Sequence, residues 1–226
     1  MIHNILDFIG YRSLALSNRL KGRQIHPEAS WKQYYADDPN ELLRITYPLD
    51  SDSLVVDVGG FKGEWSQRIY SRYCCYIDIY EPHPMLVQVI REHFKYNHEV
   101  RVIPIGLGNR NETLRLFGSD IYSSLYSNYG AESNEVAIRK ASDVFRDNYS
   151  GIVIDLLKIN IEGSEYQMLP DLIANYSMST IRNIQIQFHN TVPEYWKKRE
   201  KIQRELGKTH TLQWCYDFLY ESWVVK

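Results

Sequence analysis

The sequence predicts an α/β fold: a seven-stranded, mostly parallel sheet flanked by helices and closed by a C-terminal antiparallel hairpin. Three observations carry this. From Ser53 onward strand-like and helix-like stretches alternate, the rhythm of parallel strands joined by crossover helices. Leu54-Val55-Val56-Asp57-Val58 is a short, β-branched apolar run that stops at Gly59-Gly60, as a strand buried on both faces should. Two strand-like stretches, 209–216 and 219–225, end the chain around a tight turn at Asp217-Phe218.

In chain order, the first 50 residues read as a helical extension and residues 51–226 as the main domain. Ile2, Ile5, Leu6 and Ile9 recur at helical intervals, continued by Leu14, Leu16 and Leu20 and ended at Lys21-Gly22-Arg23. A turn at His26-Pro27 opens a second short helix around Trp31, Tyr34 and Tyr35, broken at Asp37-Asp38-Pro39-Asn40. Such a lead-in suits a cleft cap, a homodimer contact or a core cover. The spacing then predicts strands at 53–58, 75–80, 100–105, 152–159 and 181–188, with helices at 63–72, 84–96, 164–175 and 193–206 between and after them. The stretches 113–117 and 136–139 read as an added antiparallel pair. The polar, aromatic stretch between them reads as a loop over a site.

Composition narrows the class. With 26 basic and 28 acidic residues the net charge is −2, so no general basic field argues for a nucleic-acid partner. No apolar run approaches a membrane span. The N-terminus lacks the basic start and apolar core of a signal peptide, which makes the cytosol the expected compartment. Cys74, Cys75 and Cys215 fit reduced thiols rather than a disulfide framework. The 18 tyrosines and five tryptophans are assigned first to the core.

Gly59, Gly60 and Gly63 let the backbone turn tightly and approach a ligand closely. Trp65, Ile69 and Tyr70 follow at helical spacing, so a helix begins near Gly63, with its N-terminus expected to offer N–H groups to an anion. The pattern Asp57-x-Gly59-x-x-x-Gly63 resembles motif I of the class I S-adenosylmethionine methyltransferases. A NAD fingerprint would need glycine at Phe61. Glu81 ends the second strand 24 residues after Asp57, where a carboxylate can accept hydrogen bonds from both ribose hydroxyls of a nucleoside. These two signals fit S-adenosylmethionine and NAD equally well.

The third signal is Lys158-Ile159-Asn160-Ile161-Glu162-Gly163-Ser164-Glu165. Alternation in an extended segment sends Lys158, Asn160 and Glu162 to one side, at the strand edge where open α/β sheets bind ligands. The segment resembles the Lys-x-Asp-x-Glu-Gly-x-Glu signature of the FkbM-family methyltransferases. Lys158, Glu162, Gly163 and Glu165 match, and Asn160 stands where the family usually has Asp. The resemblance runs from about Ser53 to Phe188 and takes in Glu81, the Ser123-Ser124 pair and Val136 to Asp143. It implies a Rossmann-like methyltransferase fold and methyl transfer from S-adenosylmethionine to a hydroxyl of a saccharide or small natural product.

On that reading Asp57, Gly59, Gly60 and Gly63 hold the amino-acid end of the cofactor, Glu81 its ribose, and Gly106 and Leu107 lie near the adenine. Lys158, Asn160, Glu162 and His189 face the acceptor, with Tyr122, Ser123, Ser124 and Glu165 helping to bind it and Tyr126 and Tyr129 as further lining. His189, just past the fifth strand, suits the base that takes the hydroxyl proton, and Glu162 is its rival. Asn160 orients by hydrogen bonding and removes an oxygen ligand of the kind Mg²⁺ prefers, so no metal is expected. The basic triplet Lys197-Lys198-Arg199 reads as a solvated helix face. Two other classes stay open: an NAD-linked oxidoreductase, for which no convincing Tyr-x-x-x-Lys is found, and a non-catalytic scaffold, which Asn160 keeps in play.

Overall fold

The structure is a computed structural model that describes residues 27–117 and 133–226. The apolar pattern up to Leu20 and the loop residues Tyr122, Ser123, Ser124, Tyr126 and Tyr129 lie outside them.

Helix α1 (Pro27–Asp37) leads into β1 (Leu54–Val58), α2 (Glu64–Tyr73), β2 (Tyr76–Tyr80), α3 (Pro84–His93) and β3 (Val100–Ile103). A side sheet follows: β4 (Gly106–Gly108), β5 (Glu112–Phe117) and β6 (Ser133–Lys140). The chain then returns through α4 (Ala141–Tyr149), β7 (Ile154–Ile159), α5 (Glu165–Asn175), β8 (Ile181–Ile186), α6 (Tyr195–Leu206), β9 (His210–Tyr216) and β10 (Tyr220–Val225).

The main sheet has seven strands in the order β3-β2-β1-β7-β8-β10-β9. Its first five strands are mutually parallel, and β10 runs antiparallel to both β8 and β9. The order reverses between β1 and β7, which opens a crevice beyond their carboxyl ends. In the side sheet β6 pairs in parallel with β4 and antiparallel with β5.

Alternate strand residues feed two cores. Val55, Ile77, Ile79 and Leu156 pack under α2 and α3 with Trp65, Ile69, Ile90 and Phe94. Val56, Val58, Leu157, Ile159, Ile184 and Ile186 pack on the other face with Phe145, Met168 and Leu169. Each such fully buried aliphatic side chain contributes about 1.5–3 kcal/mol, which fixes the strand register and so the residues at the carboxyl edge.

Several elements differ from the sequence reading. The third strand ends at Ile103, and Gly106–Gly108 is a strand of its own, not a terminator. Helix α4 goes unread in the sequence. Helix α6 starts at Tyr195 after Glu194, which takes a left-handed cap conformation, so Pro193 stands before the helix and not in its first turn. Segment 38–47 is tied to the sheet by Gln185, which donates to the Arg44 carbonyl at 2.8 Å, and is stiffened internally by Asp38, whose two carboxylate oxygens accept the Leu42 and Leu43 amides. Ile45 and Tyr47 join the α2/α3 core. Tyr34 of α1 packs edge-on against Tyr216 and Tyr220 at ring distances of 5.1 and 5.4 Å.

Candidate active site

A cavity of about 430 Å³ lies over the carboxyl ends of β1, β2 and β7. Its deepest support is an ion pair made by facing residues of β1 and β7. Lys158 Nζ donates to Asp57 Oδ1 at 2.8 Å and to the Gly59 carbonyl at 2.6 Å. Ser66 Oγ of α2 donates to the other Asp57 oxygen at 2.6 Å. Asp57 thus stands behind the cavity wall and sets the glycine turn, while Lys158 reaches the wall itself.

The glycine turn fits its two demands. Gly59 has φ +87°, and a Cβ there would lie 1.9 Å from the Asn160 carbonyl oxygen, so the ends of β1 and β7 touch only because position 59 has no side chain. Gly63, at φ +81°, caps α2 and lies against Ile90 and Phe94 outside the cavity lining. The expected cradle of free N–H groups is largely used internally. The Gly59 and Gly60 amides donate to the Tyr80 carbonyl, and the Gly63 amide to the Gly60 carbonyl. Gly59 and Gly60 themselves line the cavity.

Glu81 lines the cavity with only 6% of its surface exposed. One oxygen accepts the Phe61 amide and the other the His83 amide, both at 2.9 Å. Burial outweighs these bonds and pushes its carboxyl up to about 7. Around it Pro82, Leu86, Gly106, Leu107 and Ile138 form an apolar wall.

At the other end the strand stops at Ile159, so alternation places Lys158 but does not extend to Glu162. Glu162 reaches the cavity through a turn in which it adopts φ +53° and Gly163 φ +104°. A left-handed non-glycine residue stores backbone strain, a feature that clusters at functional sites. Phe61 and Glu41, also on the cavity wall, share that conformation at φ +52° and +54°. The side-chain carbonyl oxygen of Asn160 is buried with no hydrogen-bond partner among the described residues.

His189 and Glu165 stand beside the cavity but do not line it. Glu165 is fully buried and accepts the Gly163 and His189 amides, each at 2.8 Å. The His189 ring is held between two carboxylates, with Nδ1 3.2 Å from Glu165 and Nε2 3.4 Å from Glu162. Burial works against its charged form, but the two carboxylates outweigh that and push the imidazole up to about 9. The His189 bond in turn holds the Glu162 carboxyl below its ordinary range.

The sequence reading missed five further lining residues: Glu41, Arg44, Trp65 and Arg68 on the side of α2 and the N-terminal segment, and Tyr80 at the end of β2. Trp65 carries only a helical-spacing signal in the sequence. Glu41 and Arg44 precede the strand–helix alternation and carried no motif.

The sheet order, with one antiparallel strand inserted between the last two parallel positions, sets this fold apart from NAD folds, and the Methyltransferase FkbM domain matches residues 57–218 of the sequence. The chain belongs to the FkbM methyltransferase family. This FkbM protein accordingly uses S-adenosylmethionine as its methyl donor. No curated protein matches the chain. Solved structures of similar shape include a putative rRNA-methylase from Clostridium thermocellum, 9% identical with a TM-score of 0.50 over 84% of this chain and 97% of that one. A putative caffeoyl-CoA O-methyltransferase from Staphylococcus aureus is 10% identical with a TM-score of 0.48 over 96% and 100% of the two chains. Precorrin-6y C5,15-methyltransferase from Geobacter metallireducens is 12% identical with a TM-score of 0.43 over 76% and 69%. This likeness concerns the fold. No helix among the described residues is long and apolar enough to cross a membrane.

Proposed function

We propose that this methyltransferase acts on a hydroxyl of a saccharide or small natural product, with Glu162 as the proton acceptor. The observation that carries the reading is the pair of acceptor groups at the end of β7: the partnerless Asn160 side-chain carbonyl and the Glu162 carboxylate on the cavity wall. Two acceptors suit a ligand group that donates a proton, as a hydroxyl does.

S-adenosylmethionine supplies an electrophilic methyl group on a sulfonium. The chain's own residues do the rest. Glu81 keeps a lone pair on each oxygen beyond the two amides it accepts, enough for two ribose hydroxyls. Leu107, Ile138, Pro82 and Leu86 enclose an aromatic base, and Gly59 and Gly60 admit the amino-acid end. Asn160 orients the acceptor oxygen. Glu162 takes its proton, and His189, held charged between Glu162 and Glu165, aims that carboxylate as a positioning residue. This places the base on Glu162 and not on His189, because a protonated imidazole has no lone pair to accept with. Orientation of the two reactants supplies the larger part of the rate.

The test is incubation with ¹³C-methyl S-adenosylmethionine and a panel of saccharides, phenols and RNA, with the label located by NMR. Label on oxygen of a small acceptor is expected; label on nitrogen, on carbon or on RNA alone overturns the reading. With an acceptor in hand, Glu162→Gln is expected to lower kcat about 10²–10⁴-fold while S-adenosylhomocysteine affinity stays within about twofold.

A further inference from the structure

Arg44 lies between α1 and β1, ahead of the residues that match the family. Its main chain is fixed from two sides: its carbonyl accepts Trp65 Nε1 at 3.0 Å and Gln185 Nε2 at 2.8 Å. Its guanidinium stacks 4.1 Å from the Tyr220 ring centroid. The side chain is 14% exposed and lines the cavity.

Among the described residues only one of its nitrogens has a partner: Nη1 donates to Glu41 at 3.0 Å, and Nε is buried with none. The second oxygen of Glu41 is taken by Arg68 at 3.1 Å, and Arg68 also donates to the Asn40 carbonyl at 2.7 Å. Two guanidiniums therefore share one carboxylate; Arg68, the more exposed, is also tied to backbone carbonyls, and the buried donor left without a partner among the described residues is Arg44 Nε. A guanidinium does not shed its charge to escape burial, and an unpaired buried donor is costly. The planar fork suits a carboxylate, phosphate or sulfate. Of the acidic groups on the same wall, Glu162 is matched by His189 and Glu64 is exposed.

The sheet order says which ligand brings the oxyanion. Glu81 sits at β2 and Gly59 at β1, whereas the Arg44 guanidinium stacks on Tyr220 of β10 and its carbonyl, besides meeting Trp65 of α2, is bound by Gln185 of β8, beyond Asn160 at β7. From β2 to β8 is three strand steps, about 14 Å. Given the reading above, in which the cofactor lies over β2 and β1 and the acceptor over β7, we infer that the acceptor carries an oxyanion and that Arg44 receives it. A uronic acid or a phosphorylated or sulfated sugar is the chemical class that fits.

The probe is the Arg44 Nε–H resonance in ¹⁵N-arginine protein loaded with S-adenosylhomocysteine, assigned by its loss in Arg44→Lys, or in Arg44→Gln if the lysine variant fails to fold. Titration with acetate, sulfate and inorganic phosphate is expected to move it saturably. Phosphate affinity, read by calorimetry in parent and variant alike, is expected to drop at least about tenfold in the folded variant, with S-adenosylhomocysteine affinity unchanged. No saturable shift overturns the inference, as does an equal shift at exposed arginines such as Arg146. A large shift when S-adenosylhomocysteine replaces 5′-methylthioadenosine, which lacks the carboxylate, gives Arg44 to the cofactor and also overturns it. Methyl label found on nitrogen or carbon would end the hydroxyl reading without touching these titrations, so the two failures are told apart.

Discussion

Glu81 and Glu162 are the same chemical group at the same edge of one sheet, two strands apart, and their surroundings pull them in opposite directions. Glu81 is 6% exposed, and each oxygen is bound by a backbone amide. Glu162 has a side chain 61% exposed and a charged imidazole for a partner. Burial raises the first carboxyl and His189 lowers the second. The lesson is a division of labour: a rigid, dry carboxylate suits recognition of a constant ligand, and a reachable, charged one suits chemistry on an incoming ligand.

Lys158 is the cation both share, since its charge favours the ionised form of each. Replacing it breaks the comparison most severely. Lys158→Met leaves Asp57 buried and uncompensated, and a loss of about 3–5 kcal/mol in urea denaturation is expected. A variant as stable as the parent would mean that the pair does not hold the two strand ends.

His189 sharpens the exposed half. Its imidazole rises from 6.5 in the unfolded chain to about 9 in the folded one. The stabilisation is therefore complete below pH 6.5 and is lost as pH rises through about 9. Stability is expected to fall by on the order of 2–3 kcal/mol across that window, and the slope should flatten in His189→Gln.

Glu81 sharpens the buried half. Glu81→Ala is expected to weaken S-adenosylhomocysteine binding about 10–100-fold by calorimetry. Its folded carboxyl sits at about 7 against 4.5 unfolded, so its contribution to stability is present below pH 4.5 and lost as pH rises through about 7. Ligand binding runs the other way, because two ribose hydroxyls need the ionised acceptor. Affinity should decline as pH falls through about 7, and Glu81→Gln should remove that decline.

The buried half was legible in the sequence from local pattern alone, whereas the exposed half was legible only in part, Glu162 through its place in the family-like segment Lys158 to Glu165. Leu54 to Val58 and the glycine turn announce themselves because burial on both faces demands an unbroken apolar run and the turn demands glycine. The final hairpin was legible as two paired strand-like stretches, although the β9–β10 pairing shifts register between Ser222 and Trp223. Gly106–Gly108 was not legible as a strand, since glycine has poor strand propensity and its pairing partner β6 lies far along the chain. Helix α4 is only nine residues long, and the family-like segment Val136 to Asp143 overlaps its start and masks its period. At the site, alternation placed Lys158 and stopped being informative once the strand ended, so the aim of Glu162 and the seclusion of His189 depended on a turn. Arg44 and Glu41 were invisible because their place on the cavity wall is set by long-range anchors, the Arg44 carbonyl on Trp65 and Gln185.

The contact at Gly59 carries a last consequence. A methyl group at that position would collide with the Asn160 carbonyl at 1.9 Å, and the Asn160 amide is itself bonded to the Val58 carbonyl at 2.9 Å. The spacing between donor side and acceptor side is thus set by one missing side chain. Residues 38–44 and the cavity side chains around them can change size and charge without disturbing that contact. Position 59 has no conservative replacement, so any redesign of the acceptor side must work around it.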